Sequence, residues 1–304
     1  MAGRAARRVA SFRDRATAGC WIAIVALSAT VASGCNVNGA LEQLSEARRL
    51  TAELLVQFTK AADAANRAVM ADTDQASVAF AREAEANQLA VQRDIDSLGP
   101  ILQGLRYSAE THLLQAFVSQ FAEYRALERR ILDLAVENTN LKAQRLSFGP
   151  AQEAADSFRD ALEAITPSIP AQDMWRGKAL VATAVSTVRE IQVLQAPHIA
   201  DADEAVMTRM ESHMAKSETA ARSALETLAT LVQPASRARL AVAATALDRF
   251  MDLNAEIIGL SRRNTNVRSL ALSLDQKHTL TAACEGSLRE LQNALAKRGF
   301  TGTR

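Results

Sequence analysis

Leu127 to Ser147 reads LERRILDLAVENTNLKAQRLS, and Leu253 to Ser273, 126 positions later, reads LNAEIIGLSRRNTNVRSLALS. The two stretches fall into register without a gap. Leu127, Ile131, Leu134, Asn138, Thr139, Asn140, Leu146 and Ser147 each face the same residue in the second stretch. Around them Tyr124 faces Phe250, Leu132 faces Ile258, Leu141 faces Val267, Lys142 faces Arg268 and Leu162 faces Leu288, while the N-terminal parts align more weakly. A period this long implies a duplicated small domain, not a solenoid of short repeats. Within the first copy, Leu113, Phe117, Phe121, Tyr124, Leu127, Ile131 and Leu134 recur at steps of three and four. That is the stripe of a helix packed in a bundle.

Composition agrees with helices throughout. Hydrophobic residues are 48% of the 304, aromatics only 4%, and alanine alone is about a fifth. Gly (12) and Pro (6) are scarce, and β-branched and aromatic residues do not cluster. Strands and their turns need those residues, which argues against a sheet-based fold. Charged residues are 23% and well mixed in sign, which argues against disorder. The expected fold class is all-α: two tandem up-down four-helix-bundle units, or one elongated bundle of two long hairpins. The units span 41–166 and 171–298. Between them Thr166-Pro167-Ser168-Ile169-Pro170 stops any helix.

Breakers within the units correspond across the repeat. Asp72-Thr73-Asp74-Gln75 sits opposite Pro197-His198-Ile199-Ala200-Asp201, and Tyr107-Ser108-Ala109 sits opposite Gln233-Pro234-Ala235. Ser108 is a candidate N-cap and Pro234 a first-turn proline. The third turn has two readings, either Phe148-Gly149-Pro150 or the earlier Asn138-Thr139-Asn140. The later one has the stronger breaker, since proline inside a helix costs about 3 kcal/mol.

The first 34 residues predict a location. Five arginines against one aspartate precede an uncharged stretch from Ala16, with the apolar run WIAIVALSATVA at Trp21–Ala32 and small residues Ala32-Ser33-Gly34 before Cys35. That is the physical pattern of a signal peptide. It resembles the lipobox of bacterial lipoproteins, which implies that Cys35 is lipidated and that 35–40 forms a short lead into the first unit. Ala32 departs from the leucine more usual there. Asn36 after the cysteine favours the outer over the inner membrane. An uncleaved anchoring helix is the other reading, because the apolar stretch nearly spans a bilayer. Either way the rest of the chain lies in the cell envelope, on the periplasmic side. Removing the +4 of the first 34 residues from the chain's +1 leaves −3, so no basic field remains to recruit nucleic acid. Cys20 leaves with the signal and Cys35 carries lipid, so Cys284 is the one free thiol, at core-like spacing.

Ala196-Pro197-His198-Ile199-Ala200-Asp201-Ala202-Asp203 with Met207-Thr208-Arg209-Met210-Glu211, and Leu260 to Leu270, resemble stretches in the four-helix-bundle sensory domains of bacterial methyl-accepting chemotaxis proteins. The resemblance covers most of both units. It implies an extracytoplasmic module that senses small molecules, often as a homodimer, by shifting helices. The pattern departs from that family in lacking a second membrane span and a signalling coiled coil, so the expected output is to a membrane receptor in trans.

The candidate residues are few. Asn138 and Asn140, with their counterparts Asn264 and Asn266, bring polar groups to an apolar stripe, where they bind a ligand or fix helix register. Met207, Met210 and Met214 with His213 make either a soft metal-binding face or a core stripe. His198 and His278 fall at the first and third turns of the second unit, which an up-down bundle would bring to one end. Asp201 and Asp203 nearby would suit a metal or polar ligand, the plain alternative being unpaired surface histidines. No phosphate loop, nucleophile elbow, zinc-protease helix or di-iron signature occurs. The expected function is therefore a non-catalytic lipoprotein sensor without cofactor. A structural envelope scaffold is the alternative, and a metal or haem carrier a weaker one.

Overall fold

A computed structural model describes the backbone of residues 20–299 and the side chains of 39–299. The segment 1–34, expected to be a signal or anchor, and the expected lipidation site Cys35 lie outside the described side chains. Ten α-helices carry the described chain: α1 (Cys20–Val69), α2 (Asp74–Gly104), α3 (Ser108–Glu137), α4 (Thr139–Leu146), α5 (Gln152–Ile165), α6 (Met174–Ala200), α7 (Glu204–Leu231), α8 (Arg237–Arg263), α9 (Thr265–Leu272) and α10 (His278–Lys297). No strand occurs among the described residues, and no helix there is long and apolar enough to cross a membrane.

Local chemistry explains the boundaries. Thr73 caps α2 by accepting from the Ala76 N–H at 3.2 Å. Asp203 caps α7 by accepting from the Ala205 and Val206 N–H groups at 2.8 and 3.2 Å. Ser108 is the first residue of α3 and not its cap; Tyr107 holds the cap position without a side-chain bond. The α6 helix runs through Pro197 to Ala200, so the turn falls later than the proline, at Asp201–Asp203. After Ile165 the linker makes two short 3-10 turns, and its Ile169 settles on α6 at Gly177. A Cβ at Gly177 would come within 2.4 Å of Ile169 Cδ1, so any larger residue there would make the Ile169 side chain shift.

The expected third turn does not exist at either site. At Gly149-Pro150 the chain stays helical through a widened π turn, Ser147–Ala151, repeated at Ser273–Lys277. At Asn138 and Asn264 the backbone enters the left-handed region, φ 50° and 53°, but for one residue only. The chain bends and runs on.

Consequently each long broken helix leaves its own unit. One core joins α1, α2 and α3 to α10 (Leu54, Phe58, Leu98, Phe117, Leu288, Leu291). Another joins α6, α7 and α8 to α5 (Phe158, Leu162, Ile165, Ile191, Leu228, Leu247). The α10 helix lies antiparallel to α1, because Lys277 meets Asn66 while the Leu295 carbonyl accepts from Arg48 at 3.0 and 3.1 Å. Arg298 closes the far end on buried Glu110, at 2.6 and 2.9 Å. The boundaries 41–166 and 171–298 follow the sequence repeat; the cores do not, because α10 packs with α1, α2 and α3 while α5 packs with α6, α7 and α8. A protease site inserted in the Thr166–Pro170 linker should therefore leave the two cut halves co-eluting on gel filtration. Halves that separate as folded monomers would contradict the exchange.

The exchange point is the Asn-Thr-Asn element. Thr139 N–H donates to Thr265 Oγ1 and Thr265 N–H to Thr139 Oγ1, both at 3.1 Å. Asn140 and Asn266 N–H groups donate to each other's Oδ1 at 3.2 and 3.1 Å. Asn140 Nδ2 reaches Asn264 Oδ1 at 2.8 Å, and Asn266 Nδ2 reaches Asn138 Oδ1 at 2.9 Å. Each break frees the first N–H groups of a new helix, and each helix start is capped by the other's side chains. The two asparagines differ in one respect. Asn264 Nδ2 also donates to the Asp201 carbonyl at 2.7 Å, whereas Asn138 Nδ2 is buried without a partner. Glycine relieves the left-handed strain equally at both sites. Asn264→Gly should thus cost about 1 kcal/mol more than Asn138→Gly in urea denaturation, the worth of the one extra bond lost. Equal costs would show that the extra bond contributes nothing.

Candidate functional site

The feature that distinguishes the two cores is a charged group in the first. Glu128 of α3 is fully buried and Lys277, in the second π turn, is 2% exposed; their charged atoms stand 3.3 Å apart. Tyr124 O–H and Gln88 Nε2 also donate to the Glu128 carboxylate. Lys277 Nζ further donates to Asn66 Oδ1 at 3.0 Å and the Ala62 carbonyl at 3.4 Å. Burial pushes the Glu128 carboxyl up against the pull of Lys277, and burial pushes the Lys277 ammonium down. Burial, with Glu128 beside it, raises Tyr124 well above the usual phenol range.

By the repeat, Glu128, Tyr124, Gln88 and Lys277 correspond to Asn254, Phe250, Met214 and Ala151. The second core has no charged side chain at these positions. Ser147 donates to Gln195 at 2.7 Å, Gln195 to Asn254 at 2.9 Å, and Asn254 Nδ2 lies 3.7 Å from the Met214 sulfur.

A cleft of about 290 Å³ opens over Lys277, between α1, α9 and the start of α10. Val69, Met70, Leu270 and Leu274 supply apolar walls; Asn66, Lys277, His278 and Thr281 supply polar groups. No acidic side chain lines it. The equivalent seam in the second core is shut. There Gln192 and Gln152, the counterparts of Asn66 and His278, are hydrogen-bonded at 2.9 Å, and the space beside Gln192 is about 10 Å³. A wider groove of about 440 Å³ between α5 and α8 has no buried polar group on its walls.

The sequence-predicted residues are scattered over three places. Asn138, Asn140, Asn264 and Asn266 form the helix exchange, and Asn140 Nδ2 also donates to the Ile199 carbonyl at 2.6 Å. His198 is no surface histidine. It is fully buried, with Nδ1 2.8 Å from Ser261 Oγ and Nε2 2.8 Å from Glu211 Oε1. Arg262 binds Glu211 through Nε and Nη2 at 2.7 and 2.9 Å, and holds its carboxyl below the usual range. Ser261 is also fully buried and donates to the His198 carbonyl at 2.7 Å, so this serine–histidine–glutamate row locks α6 to α8 and offers no nucleophile. His278 lines the cleft of the other core. The expected approach of His198 to His278 fails because α10 has left for the first core. Asp201 and Asp203 spend their carboxylates on turn and cap bonds. Met207 and Met214 are 1% exposed core residues, Met210 is half-buried, and His213 is exposed. Among the described residues no group of three or more His, Cys, Asp or Glu side chains is placed to hold a metal.

Cys284 is fully buried on α10, and burial raises its thiol to about 12. It should stay unlabelled by a thiol reagent in the native protein and react fully in denaturant. Native-state labelling at the denatured rate would contradict its place in the core.

Lys277 and Glu128 were not singled out from the sequence. One signal was available: Glu128 and Asn254 are both polar at matching positions next to an apolar stripe, four residues after Tyr124 and Phe250. Compared with known proteins, the chain matches no family model and no curated protein.

Proposed function

We propose that this is a non-catalytic, ligand-binding helical lipoprotein of the cell envelope, a sensor module that reports a small molecule to a membrane receptor. The observation that carries the binding role is the one-sided cleft. Two duplicated cores share most of their apolar pattern, yet the first alone carries an open, mostly apolar cavity over a buried cation. Ligand sites are concave, mostly apolar and furnished with a few placed polar groups, near the lower end of the usual size range here. We read the fold as a duplicated bundle whose last helices are exchanged, so a ligand between α1 and α10 would bear on helices from both repeats.

The resemblance to chemoreceptor sensory domains supports the sensing role. The N-terminal pattern supports attachment through Cys35 on the periplasmic side. A thermal-shift screen against amino acids, organic acids and divalent metals tests the binding function: a ligand that raises the midpoint by mass action supports it, and a flat screen refutes it. Labelling with radioactive palmitate tests the anchor. Label that disappears in Cys35→Ala supports lipidation, and an unlabelled parent excludes it.

A further inference from the structure

We infer that the cleft over Lys277 takes a medium-chain carboxylate, its head held by Lys277, Thr281 and His278 and its tail laid along Val69, Met70, Leu270 and Leu274. This rests on the ligand-binding reading above and gives it a chemical class. Three observations converge on it.

The first is charge. The lining holds Lys277 and His278 and no carboxylate, the Glu128 carboxylate lying behind Lys277 at 3.3 Å, so the groups that face the cavity suit an anion better than a cation. The second is unused bonding capacity. Two of the three Lys277 contacts are long, 3.3 and 3.4 Å, against about 2.7–2.9 Å for a good charge-assisted bond. Neither His278 nor Thr281 makes a side-chain hydrogen bond to another described residue. A ligand carboxylate entering beside Lys277 therefore finds donors that the protein leaves under-used. Glu128 keeps Tyr124 and Gln88 as donors on its own side.

The third is shape. Met70 and Leu274 are each 71% exposed at the mouth, a cost in water that an alkyl chain would relieve. The volume holds roughly ten water-sized groups, which matches the ten non-hydrogen atoms of octanoate. The counterpart positions in the second core, Gln144, Gln195, Ala151 and Gln152 for Leu270, Val69, Lys277 and His278, lose half of the tail wall and both basic side chains, while Ala196 and Phe148 keep the places of Met70 and Leu274 apolar.

The test is calorimetric titration of the purified protein with sodium octanoate, octanol, octyltrimethylammonium and succinate. Octanoate should bind at least about tenfold more tightly than the other three, a difference of about 1.4 kcal/mol. Leu274→Glu places an acid at the exposed mouth and should weaken octanoate about tenfold without lowering the unliganded melting midpoint. Phe148→Glu, the same change at the matching and equally exposed position beside the second core, should leave octanoate binding unchanged. Equal binding of octanoate by the parent and Leu274→Glu overturns the site. Tighter binding of octanol or the cation, with Leu274→Glu still altering it, overturns the carboxylate while leaving the cleft a ligand site. If none of the four probes binds and the wider screen is flat, the ligand-binding reading falls as well.

Discussion

Glu128→Ala should destabilise the protein by about 3–5 kcal/mol, the cost of leaving a buried partner charge unpaired. Lys277, 2% exposed, would keep only Asn66 and a distant carbonyl as acceptors. Lys277→Ala should cost a similar amount, because Glu128 is fully buried, though Tyr124 and Gln88 still donate to it. The second core already shows what a neutral solution looks like, with Asn254 and Ala151 at these positions. The double variant Glu128→Asn with Lys277→Ala should therefore recover most of the loss, since replacing both members of a buried pair is often neutral. Urea denaturation of the four proteins gives the coupling directly. Single variants that cost less than about 1 kcal/mol would mean that water reaches the pair and that it is not a buried ion pair at all. The direction of the shifts fits that cost. Burial raises the folded Glu128 value, a contribution present at low pH and lost as pH rises through it. Burial lowers the folded Lys277 value, which acts in the opposite sense. Each partner opposes the other's burial, but burial is the larger cause in both shifts.

The helical class, the repeat and the linker were legible because each rests on local signals. Periodic leucines give the stripe, an ungapped match gives the duplication, and Pro167 with Pro170 gives the stop. The third turn was misread for a physical reason. Proline and glycine announce that an ordinary α-helical turn is broken, but Gly149-Pro150 is accommodated by a π turn that keeps the helix going. The asparagines looked like site residues or register pins. Their left-handed backbone and reciprocal caps bend two helices past each other, which no spacing rule encodes. The candidate site was invisible for the same cause. Its walls come from α1 and α10, which the sequence places in different units, so no local pattern joins Asn66 to Lys277. His198 met a similar fate: its partners Glu211 and Ser261 lie on two other helices.

Side-chain size offers a test of the exchange itself. Phe58, Phe117 and Phe121 of the first repeat correspond to Ala184, Ala243 and Leu247 of the second, so one three-helix set leaves little room and the other leaves much. On the fourth helices the sizes reverse, Phe158 on α5 against Cys284 on α10. The exchange puts Cys284 among the phenylalanines, whose rings lie 5.5 to 6.2 Å apart, and Phe158 among the alanines. Without it, Phe158 would overfill the first core and Cys284 would leave a void in the second. Phe158→Cys should therefore cost about 3 kcal/mol, near the lower end for emptying an aromatic site. Cys284→Phe should cost about 1–3 kcal/mol from overpacking. Because the two positions lie in separate cores, the double variant should lose roughly the sum, about 4–6 kcal/mol, in urea denaturation. Were each repeat closed on its own last helix, the same double change would fit large to small in both cores. It would then leave stability unchanged or raised, so the sign of the double variant's effect decides between the two packings.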